Sequence, residues 1–76
     1  MKNKKIIEEV LEDCDLSEVS ISDSLDDLGY DSLSSINLMS LMSNDFDIEI
    51  DPDEIEKLKT LGDLDNFISK KLDHSA

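Results

Sequence analysis

A chain of 76 residues lies near the lower limit for folding on one core without disulfide or metal staples, so one domain over residues 1–76 is expected, frayed at its two ends. Twenty acids against seven lysines, with no arginine, give a formal charge of −13, which argues against nucleic acid and anionic membranes as partners. Two glycines and one proline are too few for the turns of an all-β protein, so the composition favours helices.

The opening "MKNKK" is basic, but no apolar segment follows it and no stretch reaches membrane-spanning length. A cytoplasmic chain that does not insert into membranes is the expectation. Ile6, Ile7, Val10, Leu11 and Cys14 form an apolar stripe with Glu8, Glu9, Glu12 and Asp13 outside it. That spacing predicts an amphipathic helix from about Asn3 to Cys14. Lys4 and Lys5 at its start and acids near its end both oppose the helix dipole, so its capping is poor. Cys14 is the sole cysteine, which excludes an internal disulfide, and its place on the stripe predicts a buried structural thiol.

Residues 15–31, "DLSEVSISDSLDDLGYD", alternate Ser and Asp with single apolar residues: Leu16, Val19, Ile21, Leu25 and Leu28. Such regular anchors predict a long ordered loop pinned to the core, with a short helical turn around Ser24 to Leu28. Loops of this length in small domains are often functional. A second helix follows from about Ser32 to Asp45, with Asp31 as its N-cap. Leu33, Ile36, Leu38, Met39, Leu41, Met42 and Phe46 give it a broad apolar face, read mainly as core.

"DIEI" reads as a short extended stretch that points Ile48 and Ile50 inward together. Asp51 as cap, Pro52 at the first helical position and Glu54 then start a short helix ending near Leu58. Thr60 and Asp63 frame the last start signal, and Leu61, Leu64, Ile68 and Leu72 carry a helical stripe to about Leu72. Lys70 and Lys71 suit its last turn, and "DHSA" reads as a frayed tail. The fold expected is all-α: a small four-helix bundle of three main helices and one short one, with a long loop between the first and second.

Ser32 stands at the start of the second helix. A nucleophilic serine needs an adjacent base, and the only histidine is His74, far along the chain. "GYDSL" also lacks the glycine spacing of a nucleophile elbow. No catalytic residue is therefore assigned. Asp45, Asp47, Glu49, Asp53 and Glu56 match the ligand positions of an EF-hand loop, but the required glycine is replaced by Ile50, so no resident metal site is assigned. The acidic surface either steers basic partners or simply keeps the protein in solution, and loose cation binding to it is expected. On the residues alone, a helical protein-interaction bundle remains open, with the Met and Leu face of the second helix as its docking surface.

The stretch "LDDLGYDSLSSINLMSLMSNDFDIEI" resembles the acyl carrier protein family. It holds the D-S-L motif at Asp31, Ser32 and Leu33, preceded by L-G-x and followed by an apolar helix and F-D-I-E-I. The similarity extends from about Ile6 to Leu72. It implies 4′-phosphopantetheine joined to Ser32 as a phosphodiester by a phosphopantetheinyl transferase, with Asp31 helping to hold Mg²⁺ during the transfer. It also implies a non-catalytic, monomeric carrier of acyl thioesters that serves acyl-loading and acyl-processing enzymes in fatty-acid, polyketide or specialised lipid synthesis. Alternatives are a peptidyl or amino-acyl carrier and a bundle that keeps the fold unmodified. Independent physics agrees with the placement, because a phosphate on Ser32 would meet the positive end of a helix, and Gly29 permits a tight approach. Tyr30 is assigned no role. An aliphatic bundle can also part to shelter an acyl chain, with Met39 and Met42 adapting to it. One departure stands out. Where typical fatty-acid carriers place acids on the second helix, this chain has Ser34, Ser35, Asn37, Ser40, Ser43 and Asn44, which points towards a specialised carrier.

Overall fold

The computed structural model describes residues 3–11 and 15–75, the last two through their backbone alone. Four helices order the chain: α1 (Lys4–Val10), α2 (Ser32–Phe46), α3 (Pro52–Glu56) and α4 (Leu61–Ser75). The all-α bundle with one short third helix and a long first connection is the architecture expected. Helix α1 closes at Leu11, whose N–H donates to Ile7 O at 2.8 Å. The expected continuation to Cys14, and the buried thiol there, lie outside the described residues. Helix α4 runs three residues past Leu72, through the segment expected to be a tail.

Poor capping of α1 is evident: Asn3 occupies the N-cap position without a side-chain cap bond. Its amide turns instead to α4, donating to Asp65 O at 3.0 Å, Asp65 Oδ1 at 3.1 Å and Ser69 Oγ at 2.9 Å. A tertiary clasp thus fastens a helix whose own ends are weak. Helices α3 and α4 have reciprocal local caps. Asp51 and Glu54 form a capping box with Pro52 in the first turn. At α4, Thr60 Oγ1 accepts from Asp63 N–H, and Asp63 Oδ2 accepts from Thr60 N–H at 3.2 Å.

The core gathers Ile7 and Val10 of α1, Leu38 and Met42 of α2, Ile55 of α3, and Leu61, Leu64 and Ile68 of α4. Ile48 and Ile50 both point inward, as the alternation of "DIEI" requires. They follow a left-handed turn at Asp47 (φ 55°), which lets Ile48 N–H donate back to Met42 O. Leu16 and Leu25 anchor the long loop, while Ile21 departs from its expected role: its side chain is exposed. Its carbonyl does the anchoring, accepting the Gly62 N–H at 2.8 Å where the chains nearly touch. An antiparallel bridge of Ser24 with Thr60 completes this main-chain seam. No helix among the described residues is long and apolar enough to cross a membrane.

Three residues of the broad α2 face also depart from expectation, because Leu33, Ile36 and Phe46 are 65%, 53% and 40% exposed. The phase of α2 is set by Ser34, Leu38 and Met42, which are buried at successive four-residue steps. Ile36 lies about 200° round the helix from Leu38, and Leu33 about 140°, so neither can share its burial.

Candidate functional site

The start of α2 is aimed by the turn that precedes it. Leu28 N–H donates to Ser24 O and Leu25 O, Gly29 N–H donates to Asp26 O, and Tyr30 N–H returns to Leu25 O at 2.9 Å. This is the turn expected around Ser24 to Leu28. Gly29 adopts φ 84°, a conformation that a side chain would strain, and that reversal delivers Asp31 in extended backbone. Asp31 caps the helix as expected, its Oδ1 accepting the Ser34 N–H at 3.0 Å.

Three serines crowd this turn and the structure separates them. Ser34 is buried, and its hydroxyl donates to Asp31 Oδ1 at 3.3 Å. The half-buried Ser35 donates to Tyr30 OH at 3.0 Å and to Asp31 O at 3.2 Å. Ser32 is exposed, and its hydroxyl bonds to none of the described residues. It sits in the first turn, where helical geometry leaves backbone N–H groups without intrahelical acceptors. Burial pushes the Tyr30 hydroxyl pKa upward, while the hydrogen bond from Ser35 opposes that rise. The residue left without a role in the sequence therefore braces the first turn. Its signal was the one aromatic ring in the turn, between Gly29 and Asp31.

Two hollows lie at the start of α2, and Ser32 lines the first of them. A groove of about 220 Å³ between α2 and α3 is lined by Ser32, Ser35, Ile36, Met39 and Ile55, with Glu56 at its side. Another of about 180 Å³ lies towards α1, among Val10, Leu28, Gly29, Asp31 and Leu33. The D-S-L residues are thus brought together with apolar walls on two sides. The contribution of Ile55 depends on how α3 docks, which no local pattern encodes. The His74 side chain lies outside the described residues, so its distance from Ser32 is not part of the site.

A family model described as "phosphopantetheine attachment site" matches residues 4–68. The chain belongs to the acyl carrier protein family. It is 46% identical over 71 residues to the acyl carrier protein of Desulforapulum autotrophicum, covering 92% of each chain. Identity to that of Thermotoga maritima is 40% over 72 residues, covering 93% of this chain and 88% of the relative. The crystal structure of an acyl carrier protein from Thermotoga maritima superposes with a TM-score of 0.72 at 29% identity, covering 100% of this chain and 96% of that one. The protein is accordingly a carrier and not a catalyst, and its prosthetic group is a covalently bound phosphopantetheine. Membership implies dealings with a phosphopantetheinyl transferase and with acyl-processing enzymes in general.

Proposed function

We propose that Ser32 carries 4′-phosphopantetheine and that the chain presents acyl thioesters, rather than peptidyl or amino-acyl ones, to the enzymes of a lipid or polyketide pathway. The observation that carries this reading is the division of labour among three neighbouring serines: only Ser32 has a hydroxyl both exposed and uncommitted. The residues present suit the group. A phosphodiester at this position meets first-turn N–H groups and the positive end of the α2 dipole. When bound, the group supplies a terminal thiol on a flexible arm, which holds cargo as a thioester.

Asp31 is proposed to serve twice. Its Oδ1 is engaged by the cap, while Oδ2 remains available to a Mg²⁺ ion during transfer of the group. The groove walls of Ile36, Met39 and Ile55 favour apolar cargo, which is the support for acyl over amino-acyl thioesters. Leu33, the third residue of the motif, is exposed beside the proposed attachment point.

Intact mass measurement tests the reading. Incubation with coenzyme A, Mg²⁺ and a broad-specificity transferase should add one phosphopantetheinyl unit, and Ser32→Ala should abolish the gain. Retention of the gain in that variant would move the attachment to another serine, and no gain with several transferases would favour the unmodified interaction bundle.

A further inference from the structure

We propose that the groove between α2 and α3 favours acyl cargo bearing a hydroxyl near the thioester over cargo bearing a ketone there, because the polar side chains of its lining offer acceptors and no donors. The inference rests on the reading of Ser32 as the attachment point of an acyl-bearing arm. Its first observation concerns the single hydroxyl proton of Ser35, which lines the groove and is half-buried. Two acceptors inside the protein compete for that proton, Tyr30 OH at 3.0 Å and Asp31 O at 3.2 Å. Whichever takes it, no proton is left for the groove. Even where the Tyr30 O–H donates in return, one lone pair of Ser35 Oγ stays open.

The second observation is that the rest of the lining agrees. Glu56 brings a carboxylate, which accepts only. Pro52 has no backbone N–H, and the Ser35 N–H donates to Asp31 O at 3.0 Å. Ile36, Met39 and Ile55 lie within helices, where their N–H groups turn to carbonyls one turn back. The first-turn N–H of Ser32 is the remaining donor, and on the proposed reading the phosphodiester takes it. The walls are otherwise apolar, and the groove of about 220 Å³ is larger than an aliphatic cavity of about 150 Å³ that holds benzene, so a short acyl segment fits. A hydroxyl on that segment gives its proton to Ser35 Oγ. A ketone instead sets its lone pairs against those of Ser35 and Glu56, and loses its water without replacement. An ammonium group also donates, but its desolvation between Ile36, Met39 and Ile55 costs far more than that of a neutral hydroxyl.

Thioester protection tests the preference. A broad-specificity transferase charges the apo chain from the coenzyme A thioesters of octanoyl, 3-hydroxyoctanoyl, 3-oxooctanoyl and 3-aminooctanoyl groups, with intact mass confirming each product. Exchange with a small thiol is then timed, and protection is the rate for the same acyl group on free pantetheine divided by the rate on the carrier. The 3-hydroxyoctanoyl group should be protected about two- to tenfold better than the 3-oxooctanoyl group, the range of one hydrogen bond. Ser35→Ala should erase that difference and leave the protection of octanoyl unchanged, whereas Ser35→Thr, which keeps the hydroxyl, should retain it. Equal protection of the two in the parent chain overturns the proposal, whether the arm's own amide N–H groups occupy Ser35 or the cargo rests elsewhere. A preference that survives Ser35→Ala overturns it too. Stronger protection of 3-aminooctanoyl than of 3-hydroxyoctanoyl would make the groove a cation site beside Glu56, and the proposal would again fall. In all these outcomes Ser32 still gains mass; if it gains none, the carrier reading itself fails.

Discussion

Helices α2 and α4 have fifteen residues each, yet their sequences relate to burial in opposite ways. In α4 the apolar stripe is the buried stripe: Leu61, Leu64 and Ile68 have no exposed surface. In α2 a serine, Ser34, is buried while Leu33 and Ile36 face solvent. A helix serving only the core can let hydrophobicity and burial coincide. On the proposed reading, α2 must also hold an exposed attachment point, and it has apolar residues on its outward side. The difference teaches that α4 is scaffold and α2 is scaffold and surface at once.

The largest effect should follow from breaking this comparison at its core. Leu64→Ala in α4 and Leu38→Ala in α2 should each cost about 2–5 kcal/mol, out of a total of roughly 4–11 kcal/mol for a domain of this length. Ile36→Ala, two residues from Leu38, should change stability by less than about 0.5 kcal/mol. Urea unfolding of the three variants provides the check. Equal losses at Leu38 and Ile36 would mean that α2 is a core helix on all sides.

Legibility in the sequence divides along the same line. Caps were readable because they are local: Asp31, the Asp51–Glu54 box and the Thr60–Asp63 pair each signal a helix start within three residues. The loop anchors Leu16 and Leu25 were readable as isolated apolar residues in a polar stretch, and Ser32 stood out by its motif. The facing of α2 was not. Seven apolar residues suggested one broad buried face, but burial depends on angle, and Ile36 belongs to the opposite side from Leu38. Nor were the anchoring by the Ile21 carbonyl, the groove wall from Ile55, or the clasp from Asn3 to α4 readable. Each joins residues distant in sequence, and the Ile21 carbonyl and the Asn3 clasp do so through backbone or amide groups that carry no hydrophobic pattern.

That clasp provides the next effect in size. Asn3→Ala removes the amide donors that tie the start of α1 to Asp65 and Ser69 and leaves part-buried acceptors behind. A loss of about 1–3 kcal/mol is expected. Hydrogen exchange should show the opening concentrated in α1, with α2 still protected. Loss of protection in α2 alone would show that the clasp supports the site rather than the frame.

A cap variant sharpens the double role of α2. Asp31→Ala should cost about 1 kcal/mol, whereas Asp31→Asn should retain most of the cap. Loading of the prosthetic group should nevertheless slow in both, because an amide is a poor partner for Mg²⁺. If Asp31→Asn loads as fast as the parent chain, the residue is a cap and nothing more.

The smallest effect concerns charge, and it should appear on α4 and not on the neutral face of α2. Lys71 Nζ lies 2.9 Å from Glu54 Oε2 and 5.5 Å from the Phe67 ring centre, tying α4 to the short α3. The hydrogen bond from Lys71 holds the Glu54 carboxyl below its ordinary pKa. Desolvation opposes this, and the Asp51 N–H and the nearby lysine charges reinforce it. A lowered folded-state pKa stabilises the fold above the unfolded value, and that contribution disappears as pH falls through the folded value. Melting temperatures of the parent chain and Glu54→Gln should therefore differ at neutral pH and converge on acidification. Lys71→Met should reduce that pH-dependent gap, whereas Asn37→Ala on α2 should leave it intact. An undiminished gap in Lys71→Met would assign the depression to the capping box and Lys57, and α4 would then be joined to α3 by apolar packing rather than by charge.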